Sequence, residues 1–288
     1  MALRTDLTTQ SWSNYELLDS GNNRKLERFG SVILARPETQ AIWKPLHPKL
    51  WHTAHAEFIW EGKKGTWKKQ KDIPAAWEMR WNDVRFFVKL TSFKHTGVFP
   101  EQALNWQWMA KHLTFLDKPR VLNLFGYTGI ASVVAAAQGA HVTHVDASKQ
   151  SIAWAQENAR LSDIPKDAIR YILEDALAFT KREVRRGVHY DGIILDPPAF
   201  GRGAKGEVWH IEEALPELMD ALNALLSKKT GSFFLLNGYA AGYTPQSFLQ
   251  LTKSCFEKIN AEYGELQIKE TKTERQISAG IYVRFVHT

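Results

Sequence analysis

The chain has 288 residues, of which 44% are hydrophobic, enough for one large domain or two domains with a buried core. A single cysteine, Cys255, excludes an internal disulfide, and no run approaches the ~18 consecutive apolar residues that a membrane span needs. The N-terminal residues lack the apolar core of a signal peptide, so we expect a cytoplasmic protein with no membrane partner.

The formal charge of +6 lies entirely in the first third of the chain. Residues 1–95 contain 16 Lys and Arg against 10 Asp and Glu, whereas residues 96–288 contain 21 of each. A local basic excess attracts polyanions such as RNA, although a solvated charged face with no partner would have the same composition. Because turn-broken strand patterns also dominate this third, we predict a small β-rich basic domain at 1–95 and a second domain at 96–288.

Two strands and a basic hairpin are predicted in the first domain. Ser31–Pro37 is typical of a strand that ends at proline, and Val84–Leu90 is typical of another. Between them, residues 60–71 form a lysine-rich loop or hairpin that contains Trp60 and Trp67, and Trp77 and Trp81 follow closely in sequence. Lysines beside stacking aromatics suit single-stranded RNA, but the same tryptophans could equally form the core of a small β domain.

From about residue 120, apolar strand patterns alternate with helical ones. The predicted strands are Arg120–Phe125, His141–Val145, Ile169–Leu173, Tyr190–Leu195 and Ser232–Leu236. The predicted helices are Ile130–Gln138, Ser148–Leu161, Ile211–Leu226 and Pro245–Ile259. Gly139 suits the C-cap of the first helix, and Pro216 is expected to break or start the third. Leu266–Lys269 and Gly280–Val286 indicate a terminal antiparallel pair.

This alternation predicts an α/β fold, a doubly wound, seven-stranded, mostly parallel Rossmann-like sheet, following the small N-terminal β-rich domain. Ligands of such sheets bind at the carboxyl ends of the strands. We therefore examined the residues that follow each predicted strand. The candidate cofactor-binding residues found there are Asn123, Phe125, Gly126, Tyr127, Thr128, Gly129, Asp146, Ala147, Ser148, Asp175, Ala176 and Asp196.

The chemistry of these strand ends indicates a nucleoside-containing cofactor. Gly126 and Gly129 let the backbone turn sharply and approach a ligand. Asp146 follows Gly126 by about 20 residues, the spacing at which an acid accepts hydrogen bonds from ribose hydroxyls. Asp175 follows the third strand, where a carboxylate can meet an adenine amino group. Taken singly, each feature is also typical of an ordinary turn or helix cap.

The glycine pattern decides between two cofactors. A dinucleotide site needs Gly-x-Gly-x-x-Gly, so that the backbone can approach a pyrophosphate. Here the bulky Phe125 and Tyr127 flank Gly126. S-adenosylmethionine contains no pyrophosphate and tolerates such a loop, so the sequence favours this methyl donor over a nicotinamide.

The acceptor is expected at Asp196-Pro197-Pro198-Ala199-Phe200. Proline pushes the preceding residue into an extended conformation and has no N–H, so the carbonyls of this corner are candidate free acceptors. A carboxylate beside a carbonyl can accept both hydrogens of an exocyclic amino group, and Phe200 can stack on a base. We therefore expect Asp196, Pro197, Pro198 and Phe200 to hold the acceptor near the donor methyl group. A rigid strand-end turn without function is the alternative.

With these motifs, the chain resembles class I methyltransferases that include bacterial enzymes modifying large-subunit ribosomal RNA at cytosine C5 or guanine N7. Asn123–Gly129 and Asp196–Phe200 are close to the motifs of that family. Residues 96–102 resemble its Thr-Gly-Phe-x-x-Asp-Gln segment before the donor site, with Val98 for phenylalanine and Glu101 for aspartate. The resemblance implies that Phe99 and Gln102 also contact the donor.

One departure concerns the atom methylated. Methylation at cytosine C5 needs a cysteine thiolate, which the resemblance places just after the fifth strand. Leu236-Asn237-Gly238-Tyr239 stands there instead, and Cys255 lies in an apolar helical pattern. The sequence therefore predicts an enzyme that methylates RNA, ribosomal RNA in particular, at a nitrogen and without a metal.

Two alternatives stay open at this point. One is a methyltransferase that acts on a protein or a small molecule. The other is a non-catalytic RNA-binding protein that retains a donor pocket. The sequence does not determine the target nucleotide or the oligomeric state.

Overall fold

The computed structural model describes residues 2–62, 64–203, 206–239 and 242–288. The chain divides into two compact units. The larger unit contains Met1–Leu7, Leu104–Leu266 and Ala279–Thr288, and the smaller unit contains Thr8–Ala103 and Gln267–Ser278. Among the described residues, no helix is both long and apolar enough to cross a bilayer.

The elements are numbered in chain order. The strands are β1 (Leu3–Arg4), β2 (Leu7–Thr9), β3 (Tyr15–Gly21), β4 (Arg24–Phe29), β5 (Val32–Pro37), β6 (Ala56–Glu61), β7 (Lys64–Lys69), β8 (Trp77–Trp81), β9 (Val84–Val88), β10 (Arg120–Leu124), β11 (His141–Asp146), β12 (Ile169–Leu173), β13 (Gly192–Leu195), β14 (Phe200–Arg202), β15 (Val208–His210), β16 (Phe233–Gly238), β17 (Glu262–Lys269) and β18 (Gln276–Val286). The helices are α1 (Ala103–Leu113), α2 (Ile130–Ala137), α3 (Lys149–Leu161), α4 (Ala176–Arg185), α5 (Ile211–Leu225) and α6 (Pro245–Cys255), with 3-10 turns at Pro48–Thr53 and Pro100–Gln102.

The main sheet has the strand order β1-β17-β18-β16-β13-β10-β11-β12, and β2 also pairs with β17. The five strands from β16 to β12 are parallel, while β18 runs antiparallel to β16. After β10 the chain adds β11 and β12 on one side, then returns to β13 on the other side. The strand order therefore reverses beside β10, which is where open α/β sheets bind their ligands.

Two helical layers cover this sheet. One layer contains α4, α5 and α6, in which α4 packs against α5 and α5 packs against α6. The other layer contains α2 and α3, which pack against each other. The core under α4, α5 and α6 contains fully buried Phe179, Leu218 and Leu222, packed with sheet residues such as Leu195 and Leu236. The central strands β13 and β16 are buried along their whole length because both faces of the sheet are covered there.

The strand–helix alternation predicted after residue 120 is confirmed, with several differences, among them an additional helix α4 and the end of α6 at Cys255 instead of Ile259. The sheet contains nine strands instead of seven, because β1 and β2 extend its edge. The helix α5 begins at Ile211 and continues through Pro216. Proline has no N–H, so the carbonyl four residues earlier, that of Glu212, lacks its helical hydrogen bond. The helix tolerates this because Glu212 is exposed in the first turn. The antiparallel hairpin of β14 and β15 was not predicted, and residues 204 and 205 at its tip lie outside the described residues.

The smaller unit contains a five-stranded sheet in the order β3-β4-β5-β6-β7 and a separate ribbon of β8 and β9. The predicted strands Ser31–Pro37 and Val84–Leu90 correspond to β5 and β9. The basic segment forms the antiparallel hairpin of β6 and β7.

The boundaries of the two units differ from a single division at residue 95. Residues 96–103 belong to the smaller unit, and so do residues 267–278 from the end of the chain. The second segment joins this unit through hydrogen bonds from Ser20 Oγ to Glu270 Oε1 (2.5 Å) and from Thr271 N to the Leu17 carbonyl (2.9 Å). Such pairing between distant parts of the chain leaves no local pattern in the sequence.

A buried ionic cluster lies in the core of the smaller unit. Glu27 accepts hydrogen bonds from Tyr15 Oη at 2.8 Å and from Arg36 Nε and Nη2 at 2.7 and 2.8 Å. Lys25 Nζ lies 3.3 Å from Glu38 and 3.7 Å from Glu27. Burial opposes ionisation of Glu27, but Arg36 and Lys25 hold the pKa of its carboxyl below the ordinary value. The carboxylate is therefore ionised and its charge is compensated.

Candidate active site

The register of the parallel strands brings the predicted strand ends to one edge of the sheet. Leu124 on β10 pairs with Val145 on β11 and with Leu195 on β13. Asp146 and Asp196 each follow one residue later, on either side of the loop after β10. Since neighbouring strands lie ~4.8 Å apart, the two acids flank this loop at a separation of about 10 Å.

The loop after β10 has a conformation that most residues avoid. Phe125 and Tyr127 have positive φ angles of 54° and 48°, and Gly129 has a φ of 77°. Residues held in the left-handed region without being glycine cluster at ligand sites, where the surrounding structure maintains them. Here Gly126 N donates to the Val145 carbonyl at 3.1 Å, and Gly129 N donates to the Gly126 carbonyl at 2.9 Å.

Asp146 stabilises this loop and retains capacity to accept further hydrogen bonds. Its Oδ2 accepts from Tyr127 N and its Oδ1 from Ser148 N, both at 2.8 Å. Burial raises the pKa of its carboxyl, and these two backbone donors partly offset that effect. A carboxylate has about four acceptor positions, so two remain for ribose hydroxyls.

An apolar surface lies next to Asp146. Leu173, its register partner on β12, is 46% exposed at the end of that strand. An acid beside an exposed leucine suits a nucleoside whose ribose is hydrogen-bonded and whose base is covered by apolar contact. The residues present therefore fit the nucleoside part of S-adenosylmethionine, while the neighbouring Ala147 is partly exposed at the same edge.

Two predicted cofactor residues also cap helices. Asp175 Oδ1 accepts from Ala178 N at 2.9 Å, which makes Asp175 the N-cap of α4, and the adjacent Ala176 is buried in the first turn. Ser148 caps α3 by accepting from Ser151 N at 3.2 Å. Contact between these residues and the donor stays a prediction, because capping alone explains their residue types.

A hydrogen-bonded chain beneath the loop was missed in the sequence. Asn123 Nδ2 donates to Ser132 Oγ at 2.8 Å, and Ser132 Oγ lies 2.9 Å from His144 Nδ1. All three side chains are buried, so Asn123 supports the loop from inside the protein. Burial lowers the pKa of His144 to about 4, which keeps its ring neutral at physiological pH. Asn158 on α3 also holds the loop, by donating to the Thr128 carbonyl at 2.8 Å.

We predict that Gly126→Ala abolishes tight donor binding. A Cβ at this position would lie 2.3 Å from His144 Cε1, and the buried ring cannot withdraw without breaking its contact with Ser132. We expect the donor Kd, measured by calorimetry, to rise at least about tenfold, with about 1–3 kcal/mol lost from the free energy of unfolding.

Two variants control this experiment. Gly187→Ala adds a Cβ that meets no atom within 4 Å and should leave donor binding unchanged. Adding His144→Ala to Gly126→Ala makes room for the new Cβ and should restore part of the affinity. Wild-type affinity in Gly126→Ala alone would contradict the assignment of this loop to the donor.

The acceptor corner is built around Asp196, which is partly exposed directly after β13. Removal of its carboxyl from bulk water raises its pKa to about 6. Trp209 Nε1 donates to the Pro198 carbonyl at 2.7 Å. The expectation that both proline carbonyls are free acceptors is therefore wrong for Pro198, because its carbonyl accepts this hydrogen bond from Trp209 on β15. Pro197 is buried, while the Phe200 ring is 54% exposed beside the corner.

The neighbouring strand end holds an amide where a cysteine enzyme would need a thiol. Leu195 pairs with Leu236 on β16, so Asn237 lies level with Asp196. Asn237 is buried, and its Oδ1 accepts from Asn105 Nδ2 at 2.8 Å. Arg284 Nη1 in turn donates to Asn105 Oδ1 at 3.0 Å. These contacts fix the edge of the acceptor corner.

The remaining two candidates belong to the smaller unit. Phe99 precedes the 3-10 turn Pro100–Gln102, and its ring centroid lies 5.1 Å from that of His95. Within this turn Glu101 is buried, and burial raises its pKa to about 7 although Lys25 and Arg36 oppose the shift. The donor contacts of Phe99 and Gln102 stay predictions.

The tryptophans at 60, 67, 77 and 81 divide between two roles. Trp77 and Trp81 on β8 are buried, and the partly buried Trp67 donates from Nε1 to the Thr91 carbonyl at 2.8 Å. Trp60, at 57% exposure, is the one of the four with a largely open ring. Three of these tryptophans therefore have structural contacts, and Trp60 is the candidate for stacking.

Two lysines of the β6–β7 hairpin face acids. Lys64 pairs across the strands with Glu61, and Lys68 pairs with Glu57. Glu57 also forms an ion pair with Arg24 at 2.8 Å, and Lys69 lies opposite Ala56, so the acids compensate only part of the lysine charge of this hairpin. Lys63 lies outside the described residues.

Comparisons with known proteins agree with this geometry. The sequence profile of a family described as S-adenosylmethionine-dependent methyltransferase matches residues 63–246. A crystal structure of a SAM-dependent methyltransferase from Agrobacterium tumefaciens is 38% identical with a TM-score of 0.95, covering 100% of this chain and 96% of that one. A crystal structure of the protein SMU.776 complexed with SAH has a TM-score of 0.74 at 18% identity, covering 95% of this chain and 76% of that one, and shows the fold alone.

Similar sequences include enzymes named for ribosomal RNA. Ribosomal RNA large subunit methyltransferase K/L of Shewanella sp. (strain ANA-3) is 34% identical over 184 residues, which are 62% of this chain and 24% of that protein. The protein of the same name from Syntrophotalea carbinolica is 39% identical over 127 residues, 43% of this chain and 16% of that one. The chain thus matches about a quarter or less of the length of these two relatives.

Together, the profile and the solved structures confirm the predicted doubly wound fold and S-adenosylmethionine as the cofactor.

Proposed function

We propose that this chain, which belongs to the S-adenosylmethionine-dependent methyltransferase family, methylates a nitrogen of large-subunit ribosomal RNA. The observation that carries the proposal is the acceptor corner. There the desolvated carboxyl of Asp196 and the exposed ring of Phe200 belong to one short segment after β13. The neighbouring strand β10 leads into the loop of residues 125–129, which we call the donor loop. The names of the relatives support RNA as the substrate class.

The bound cofactor supplies an electrophilic methyl group on a sulfonium sulfur. Asp196 accepts a hydrogen bond from the amino group of the target base, while Phe200 covers the face of that base. Because the pKa of Asp196 is about 6, its carboxylate is ionised at neutral pH and can also take up the proton that the methylated nitrogen releases. The lone pair of such an amino nitrogen is partly delocalised into the base, and the hydrogen bond to Asp196 localises it on nitrogen for attack on the methyl carbon. Positioning supplies much of the remaining catalysis, since no covalent adduct with the enzyme is needed.

The surroundings of the only thiol favour nitrogen over cytosine C5. C5 chemistry needs a thiolate that adds to the ring. Cys255 lies in the last turn of α6, and burial raises the pKa of its thiol, which disfavours the thiolate. At the strand end beside Asp196, the buried amide of Asn237 stands in the place of a thiol.

A transfer assay with labelled S-adenosylmethionine tests this proposal. The acceptors are fractionated RNA, protein and metabolites from cells that lack the chain. We expect label in large-subunit ribosomal RNA, and we expect Cys255→Ser to transfer at the wild-type rate within about twofold, since its thiol takes no part. Label only in protein or metabolites would contradict RNA as substrate, and loss of transfer in Cys255→Ser would contradict nitrogen as acceptor.

A further inference from the structure

The hairpin of β14 and β15 begins directly at the acceptor corner and has two unlike faces. In its register Phe200 pairs with His210, Gly201 with Trp209, and Arg202 with Val208. Because side chains alternate along a strand, Trp209 points to one face and the two outer pairs point to the other.

The inner face fixes the hairpin to the catalytic edge of the sheet. Trp209 is buried, its ring centroid lies 4.8 Å from that of Phe125 in the donor loop, and its Nε1 donates to the Pro198 carbonyl. At the end of the hairpin, Ile211 N donates to the Ala199 carbonyl at 3.1 Å. The outer face is therefore held in a defined position relative to Asp196.

The outer face presents two side-chain pairs to solvent. Phe200 is 54% exposed and meets the half-buried His210 edge-on, with the ring centroids 5.1 Å apart. Val208 is 57% exposed beside the exposed Arg202. Within the part of the chain that the structure describes, the Arg202 side chain makes no ion pair or hydrogen bond.

We propose that this outer face beyond Phe200, formed by Arg202, Val208 and His210, binds the RNA nucleotide next to the methylated base. The inference rests on the proposed function, and it adds a site that selects the neighbouring nucleotide. His210 packs against the edge of the Phe200 ring, nearest the corner, and offers its imidazole to the neighbouring base. Arg202 follows two residues after Phe200, about 7 Å along the strand, where it reaches the adjoining phosphate. A stacking side chain combined with one cation is a recurring arrangement for single-stranded RNA.

The charges around the hairpin limit the contact to one phosphate. Glu212 and Glu213 follow in the first turn of α5 and are exposed, so they disfavour a second phosphate beyond His210. Glu207 also lies against Gly203 on the hairpin, so among the described residues of the hairpin Arg202 supplies the attraction. The slope of log Kd against log salt should therefore reflect one phosphate contact. An acidic peptide should bind more weakly than RNA, because it offers no base to stack on His210.

Arg202→Gln tests the phosphate contact. The probe is large-subunit ribosomal RNA from cells that lack the protein, and Kd and KM are measured at several salt concentrations. We expect both constants to rise about tenfold, with kcat within about twofold of wild type and unchanged donor binding. The slope of log Kd against log salt should become shallower by about 0.7–1. Arg202→Lys keeps the charge and should recover most of the affinity.

Arg185→Gln provides the matched control. Arg185 is an exposed arginine at the end of α4, and since α4 starts at the carboxyl edge of the sheet, its last residue lies near the opposite edge. Its removal should change neither Kd nor slope. His210→Ala should raise Kd by about fivefold without altering the slope, because it removes stacking and no charge.

The possible results separate this inference from the proposed function. If wild type methylates the RNA and Arg202→Gln behaves like Arg185→Gln, the nucleotide site is overturned while the function stands. If wild type labels only protein, the proposed function fails and the nucleotide site fails with it. A raised KM in Arg202→Gln without the change in salt slope would also overturn the phosphate contact.

Discussion

Asp196→Ala is expected to lower kcat for methyl transfer by about 100- to 1,000-fold, with the donor Kd within about threefold of wild type. The substitution removes the carboxylate that orients the acceptor amino group and takes up its proton, and groups in either role contribute about this much to catalysis. Single-turnover transfer to the RNA, with donor affinity measured separately by calorimetry, provides the test. A rate within tenfold of wild type would contradict the placement of the acceptor at this corner.

Asp196→Asn separates hydrogen bonding from charge at the same position. Asparagine keeps one acceptor oxygen but takes up no proton, so we expect an intermediate loss of about tenfold. Wild-type activity should rise with pH through about 6, where the carboxyl of Asp196 ionises, and this step should be absent in the asparagine variant. An identical pH profile in both proteins would show that Asp196 is not the group titrating.

The stability of Asp196→Asn provides an internal control. The folded pKa of about 6 exceeds the ordinary value of 3.8, so the carboxyl disfavours folding increasingly as pH rises between these values. Asparagine removes this penalty, which we put at about 1–2 kcal/mol at pH 7 because the group is partly exposed. A variant that is more stable but slower cannot owe its lost activity to unfolding.

Local sequence patterns were sufficient to predict the main sheet and the location of its ligand edge. Each parallel strand is a short apolar run, and the residues after it, such as Asp146 and Asp196, stand out because acids and glycines interrupt those runs. Since parallel strands end at one edge, chain order alone brought these residues together. The same reasoning predicts the donor loop after β10, because glycine is favoured where the backbone turns with a positive φ, as at Gly129.

The supporting contacts were not predictable, because they join residues without a shared local pattern. His144 is one of several polar residues in β11, and only the fold shows that it lies under Gly126 and contacts Ser132. The β14–β15 hairpin has three-residue strands, too short for an alternating pattern to indicate. The tryptophans near residues 60–81 remained ambiguous because core and RNA-stacking aromatics have the same composition.

Glu27→Ala is expected to lower the free energy of unfolding by about 3–5 kcal/mol, the largest stability change that we predict. The substitution leaves Arg36 buried without the carboxylate that accepts two of its N–H groups, and it removes the partner of Tyr15 Oη. Urea denaturation followed by tryptophan fluorescence measures the change, and seven of the eleven tryptophans lie in residues 1–95. A loss below 1 kcal/mol would show that the buried charges find other partners.

Two comparison variants separate burial from ion pairing. Glu57 pairs with Arg24 at 2.8 Å with both side chains partly exposed, so Glu57→Gln should cost less than about 1 kcal/mol. Glu27→Met combined with Arg36→Met removes both charges and should cost less than Glu27→Ala alone. Because the folded pKa of Glu27 is lowered, its contribution is complete above the ordinary value of 4.5 and is lost as pH falls through the folded pKa. The difference between wild type and Glu27→Ala should therefore shrink in acid.

The same variant tests whether the ionic cluster affects donor binding. Arg36 Nη1 donates to the Lys94 carbonyl at 3.1 Å, just before residues 96–102, which carry the predicted donor contacts Phe99 and Gln102. If those contacts exist, Glu27→Ala should weaken donor binding about threefold or more under conditions where the protein stays folded, whereas Glu57→Gln should not. Unchanged donor affinity in a folded Glu27→Ala protein would restrict the cluster to stability. The donor site would then depend on the strand ends of the larger unit, where Asp146 and the loop after β10 are the predicted nucleoside contacts.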